Sequence, residues 1–286
     1  MINTKAEKLL NLAWNSTTEE QAVSLARQVL EISPGNTEAL IIIADNTEND
    51  AERKNILLRA LKSLDDENNY RKGERDDLLF SVNYRLAYTY FVEGMFSEVL
   101  SACEAAMNVL DDPDNEDEIN TLYYRTLIEM EEWQKILALT MKDETHGLAW
   151  GYSRLIAAWM SAPGESQAVC ANMFWDALII APDVPFYMLG YYSEPDDDEE
   201  HEDFDFALMY YDTVNISDDF RQWFTRGAVL FGLLTNRFDG REREYMLDVL
   251  DTSGGYDEYE KMSRILLEAD DESVIETLAA NKCLSE

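Results

Sequence analysis

Apolar residues recur at three- and four-residue spacing through long stretches of this chain, while proline and glycine stand at the joints between them and alternating strand patterns are absent. That periodicity predicts an all-α fold. Past Pro182 it marks helices over Phe206–Tyr211, through Trp223 to Leu234, over Glu242–Leu250, and, after a Gly254-Gly255 break, around Tyr259–Leu267 and Ser273–Ala280. Two polar stretches interrupt it. Asp65 to Asp77 reads as an insertion, and Glu194 to Asp203 is too polar to bury and reads as a solvated loop.

Between Asn83 and Ala106 the positions acquire a finer order: Leu86-Ala87, Tyr90, Gly94, Phe96, Val99, Cys103 and Ala106. This order of small, aromatic and apolar residues resembles the tetratricopeptide repeat. In such a hairpin Ala87 and Ala106 would let two helices approach closely, Gly94 would permit the turn, and Tyr90 and Phe96 would fill the space between hairpins. Weaker copies follow the same ruler. Ala22, Ala26, Val29 and Pro34 suit a first repeat, and Ile41, Leu57, Ala60 and Leu61 a second. Tyr123-Tyr124, Leu127, Trp133 and Ile136 suit a fourth, and Ala157-Ala158, Cys170, Phe174, Ala177-Leu178 and Pro182 a fifth. Repeat starts fall near Asn3, Pro34, Phe80, Asp117 and Gly151, close to the 34-residue period except where the Asp65–Asp77 insertion intervenes. The expected architecture is a right-handed solenoid of antiparallel helix hairpins over residues 1–190, an acidic loop over 191–205, and irregular helices over 206–286 that cap it.

A second likeness runs from about Trp14 to Leu234. Leu25-Ala26-Arg27-Gln28-Val29-Leu30-Glu31-Ile32-Ser33-Pro34 looks like the opening of bacterial relatives of the suppressor-of-tumorigenicity-7 family. Ala177-Leu178-Ile179-Ile180-Ala181-Pro182-Asp183-Val184-Pro185-Phe186-Tyr187-Met188-Leu189-Gly190 resembles that family's later signature. Phe206 to Tyr211, Trp223 and Gly227-Ala228 are similar to the element that comes next. Asp183 stands where family members often carry histidine, and the membrane segments of eukaryotic members have no counterpart. The resemblance implies a helical-repeat fold and brings no catalytic motif.

Composition narrows the partners. The formal charge is -35 with 46% hydrophobic and 11% aromatic residues, so the acidity belongs to the surface of a folded chain rather than to disorder. An acidic surface excludes phosphate-backbone recognition and anionic membranes. No signal-peptide run opens the sequence and no apolar stretch reaches the roughly 18 to 20 residues of a membrane span, which sets a cytoplasmic expectation. Cys103, Cys170 and Cys283 are widely spaced and read as buried thiols, not as a disulfide framework or zinc site.

Catalytic signals are missing. His146 and His201 belong to no metal-ligand pattern, and G-x-x-x-x-G-K-[ST], G-x-G-x-x-G and G-x-S-x-G do not occur. His146, before Gly147, reads as a turn residue. The acidic run Asp111 to Glu118 fails as a calcium loop because Asp117 sits where glycine is needed and Tyr123 where glutamate is needed; acids at a helix start explain it better. No cofactor and no metal are expected.

What remains is a surface. The exposed stripe on the first helix of each hairpin lines the concave face of such solenoids, and here it comprises Tyr84, Arg85, Tyr88 and Phe91, then Arg125, then Tyr152 and Trp159. Aromatics and arginine are the residue types that anchor interfaces, although large aromatics also pack in cores. The leading expectation is a non-catalytic module holding a protein or peptide, basic or apolar in character. A second reading rests on the absence of lysine and arginine from Leu155 to Phe220 and on the acidic loop residues Asp196, Asp197, Asp198, Glu199, Glu200, Glu202 and Asp203. Such a face would bind basic proteins or imitate nucleic acid. A carboxylate-dependent enzyme on a helical scaffold is the third.

Overall fold

The computed structural model describes residues 4–65, 73–109, 116–142, 147–161, 167–195, 201–266 and 269–285. Among them lie sixteen α-helices and no strand, so the fold is all-α. The chain divides into two compact units, residues 1–126 and 127–286, and the stretch expected to hold five hairpins is shared between them.

The first unit is built from α1 (Thr4–Trp14), α2 (Glu19–Ile32), α3 (Thr37–Asp45), α4 (Asp50–Ser63), α5 (Glu74–Val92) and α6 (Phe96–Met107), with α7 (Glu116–Glu129) running to its boundary. Side chains fix the helix starts: Thr18, Asn36 and Asn49 accept hydrogen bonds from the backbone N–H of Gln21, Ala39 and Glu52 at 3.4, 2.8 and 2.9 Å. Each cap satisfies a donor that the helix itself leaves open, an effect of about 1 kcal/mol. Helices pair in sequence, α1 on α2, α3 on α4 and α5 on α6, and α3 also touches both α1 and α5.

Small side chains make this packing close. Ala26, Ala39, Ala60, Ala87 and Ala106 are fully buried together with Val29, Leu57, Val99 and Cys103. The α5–α6 turn closes through Gly94 at φ 71°, where Met95 N–H donates to the Tyr90 carbonyl (2.9 Å) and Gly94 N–H to that of Phe91 (3.0 Å). That double bond pattern satisfies the last carbonyls of α5 and needs a left-handed residue, which glycine supplies.

The second unit contains α8 (Trp133–Thr140), α9 (Leu148–Ser161), α10 (Gln167–Ile180), α11 (Val184–Met188), α12 (His201–Tyr210), a 3-10 turn (Tyr211–Asn215), α13 (Asp218–Leu234), α14 (Gly240–Thr252), α15 (Tyr256–Ser263) and α16 (Asp271–Ala280). Helix α9 packs against α8 and α10, while α16 folds onto α10 and α13. α13 is the central element. It buries Phe220, Trp223, Phe224, Val229, Leu230 and Phe231 and meets α14, α15, α16 and the 3-10 turn.

A single arginine ties three segments of this unit together. Arg237 donates from Nε to Asp183 (2.9 Å) and from Nη1 and Nη2 to the two carboxylate oxygens of Asp271 (3.0 and 2.7 Å). Its guanidinium also lies over the rings of Phe186 and Phe231, 5.5 and 4.7 Å from their centroids. Asp183, the departure from the family-like pattern, is thus one of its two anionic partners. Both carboxylates hold the guanidinium charged against the opposing pull of burial.

Several expectations shift in detail. Helix α12 begins at His201, so Glu202 and Asp203 form its first turn instead of extending the acidic loop; carboxylates there face the positive end of the helix dipole. The remaining loop residues, Asp196 to Glu200, fall outside the described residues, as does His146. Likewise α5 starts at Glu74, inside the polar stretch read as an insertion. Cys103, Cys170 and Cys283 are buried and form no disulfide.

Candidate functional site

Helix α5 presents Phe80, Tyr84 and Tyr88 at four-residue spacing, which places them one above another on one face. The rings of Phe80 and Tyr84 are stacked, 6.1 Å between centroids and within 2° of parallel. Tyr88 is 47% exposed, whereas Val82 and Leu86 on the opposite side of the helix are buried. The stripe therefore faces away from the buried side of α5. It forms one wall of a cleft of about 680 Å³ that α3, α4 and α7 complete with Asp45, Arg53, Leu57 and Glu118.

Charge fixes the geometry around these rings. Arg85 makes a two-pronged ion pair with Asp45 of α3, Nε to Oδ1 at 2.7 Å and Nη2 to Oδ2 at 2.9 Å. Its third nitrogen donates to the Ser81 hydroxyl at 2.7 Å. A bidentate guanidinium–carboxylate contact sets orientation as well as distance, so Arg85 pins α5 to α3 and aligns the stripe. The Tyr84 hydroxyl is pushed up to about 12, by burial first and then by the field of Glu118. It is a neutral donor across the physiological range.

The other stripe residues separate from this cleft. Arg125 is almost completely buried and holds its guanidinium 5.9 Å from the centre of the half-buried Phe91 ring. Tyr152 lies in the interior of the second unit, 1% exposed, donating its hydroxyl to the Ala181 carbonyl (2.9 Å) beside Phe206. Trp159 is packed there as well, its ring 4.9 Å from that of Trp223 and 5.5 Å from that of Phe220. Neither ring offers a face to solvent, as is usual for large aromatics close to a dense apolar helix such as α13.

Phe80, Asp45 and Glu118 were not among the sequence candidates. Phe80 carried a signal in its i, i+4, i+8 register with Tyr84 and Tyr88. Asp45 carried none, because its ion pair with Arg85 spans forty residues and arises only when α3 meets α5.

A smaller cleft of about 560 Å³ lies in the second unit between α13 and α14, lined by Arg221, Gln222, Thr225, Tyr245, Asp248 and their neighbours, and it contains one aromatic ring. Among the described residues no three His, Cys, Asp or Glu side chains gather as a metal-binding group. The acids Glu116, Asp117 and Glu118 occupy the first turn of α7, where the helix dipole favours them. No described helix is long and apolar enough to cross a membrane. No family model matches the chain, and no curated protein matches it in sequence.

Proposed function

We propose that this chain is a non-catalytic helical-repeat protein, tetratricopeptide-like in its hairpins and related to the suppressor-of-tumorigenicity-7 family, that holds a segment of another protein in the cytoplasm. The observation that carries the reading is the half-exposed stripe Phe80–Tyr84–Tyr88, aligned by the Arg85–Asp45 ion pair along a cleft of about 680 Å³. Preorganised aromatics at the edge of a concave surface provide contact area with little further loss of conformational freedom on binding. The hairpin order of α1 to α6, with α3 touching both α1 and α5, supports the repeat reading because stacked hairpins bring alternate helices together.

The test is Tyr88→Ala. Tyr88 is too exposed for its loss to unfold the helix, so circular dichroism should be unchanged. Affinity purification from the native host with the wild-type chain should capture a defined partner that the variant loses. Capture of the same partner at the same yield by Tyr88→Ala would overturn the assignment.

A further inference from the structure

We propose that the α5 cleft takes a cationic side chain, arginine or lysine, from an extended basic segment of a partner protein. The inference rests on the cleft being a protein-binding surface and adds the chemistry of its occupant.

Three observations on the cleft walls converge. First, the ring faces of Phe80 and Tyr84 lie parallel, with Tyr88 continuing the stripe, and aromatic faces attract cations through their quadrupole. Second, the two arginines in the lining are already neutralised: Arg85 by both oxygens of Asp45, and Arg53 by Asp50 at 2.9 Å. They hold the walls in place and offer little to an incoming anion. Third, Asp77 and Glu118 flank the rings on the exposed rim, and neither carboxylate has an ion-pair or hydrogen-bond partner among the described residues.

The local sum of these charges is negative beside a stack of rings. An acidic segment would face Asp77 and Glu118 directly, and a wholly apolar one would strip water from carboxylates without replacing it, which costs free energy. A guanidinium or ammonium meets both demands, its flat or rounded face on the rings and its N–H groups toward the carboxylates. The large negative charge of the whole chain draws such a segment in but does not choose where it lands. The cleft does.

The experiment is fluorescence anisotropy with two labelled twelve-residue peptides, one with arginine at alternate positions among glycines and serines, the other with every arginine replaced by neutral citrulline. The full chain should bind the arginine peptide at least about tenfold more tightly. Asp77→Asn with Glu118→Gln should weaken it roughly three- to tenfold. Asp251→Asn with Asp257→Asn removes the same charge from exposed sites in the second unit and should leave binding within about twofold. Equal losses from the two double variants would show capture by net charge alone and overturn the proposal. So would displacement of the peptide by spermidine at matched charge concentration, which would make a small amine the ligand. If Tyr88→Ala weakens both peptides equally and citrulline costs nothing, the cleft holds a segment but not a cation. If Tyr88→Ala has no effect on either, the protein-binding reading of the cleft fails with it.

Discussion

The two compact units solve the same packing problem with different side chains. Residues 1–126 bring helices together over alanines, Ala26, Ala39, Ala60, Ala87 and Ala106, and their largest fully buried side chains are aliphatic: Leu40, Ile41 and Leu57. Residues 127–286 fill their interior with rings; Tyr152, Phe174, Trp175, Phe186, Tyr210, Phe220, Phe224, Phe231 and Phe238 are fully buried there, and every described aromatic buried to that degree lies in this unit. The consequence is functional. In the alanine-packed unit Phe80, Tyr84 and Tyr88 keep part of their surface in solvent, while Tyr123 and Tyr124 are buried. The stripe candidates on α9, Tyr152 and Trp159, pack instead against rings of α12 and α13.

The two arginines offer the sharpest way to break that contrast. Arg237 has only 13% of its side chain exposed and serves two carboxylates and two rings, whereas Arg85 is 31% exposed and pairs with Asp45 at the cleft. Removing Arg237 takes away three charge-assisted hydrogen bonds and the packing of its guanidinium on Phe186 and Phe231, so Arg237→Ala should cost about 2–3 kcal/mol in urea unfolding. Hydrogen exchange should accelerate in α11, α13 and α16. Arg85→Ala should cost less than about 1 kcal/mol, as for other partly exposed ion pairs. Equal costs would mean that the second unit depends less on its buried charge than the geometry implies.

Glycine substitutions read the same difference on a smaller scale. A Cβ at Gly232 would lie 2.5 Å from a Phe238 ring atom and 2.8 Å from one of Phe186. Gly232→Ala should therefore destabilise by about 1–2 kcal/mol, overpacking outweighing the helix propensity gained. At Gly94 a Cβ would meet nothing within 4 Å, and the obstacle is the left-handed backbone. Gly94→Ala should cost about 1 kcal/mol, and D-alanine introduced by chemical ligation should recover it. A Gly232→Ala variant as stable as the wild type would contradict the steric reading.

Alkaline titration gives the smallest effect. The fold prefers the neutral Tyr84 phenol, whose pKa rises to about 12 from an ordinary value of 10.0. The stability this contributes is whole below pH 10 and is lost as pH rises through 12. Tyr84→Phe removes the ionisable group, so the variant should resist alkaline unfolding at a slightly higher pH than the wild type. Its absorbance titration at 295 nm should also lack one late component. An unchanged titration would place Tyr84 in solvent.

Sequence periodicity made much of this legible. Gly94, Ala87 and Ala106 carry the α5–α6 hairpin in their spacing, and the segment Ala177 to Leu178 lies buried within α10 where the fifth repeat was expected. The start of α12 was less visible, because Glu202 and Asp203 look like loop residues until the helix dipole is counted. Local pattern also could not say which aromatics stay outside. The repeat pattern sets both Tyr88 and Trp159 on an exposed stripe, and what separates them is tertiary: Trp159 packs against Phe220 and Trp223, while Tyr88 stays 47% exposed. That information lives in tertiary contacts. The Asp45–Arg85 and Arg237–Asp183 pairs are hidden for the same reason, each joining residues tens of positions apart.

Hydroxyl-radical footprinting of the full chain, with and without the arginine peptide, distinguishes the α5 cleft from other surfaces, because the two units each carry exposed tyrosines: Tyr88 at 47% in the first, Tyr211 and Tyr245 at 59% and 61% in the second. Saturating peptide should protect Tyr88 from oxidation, and Tyr84 with it, while Tyr211 and Tyr245 react at their original rates. Protection confined to Tyr211 or Tyr245, or spread evenly over all four, would contradict the assignment of the α5 cleft as the working surface.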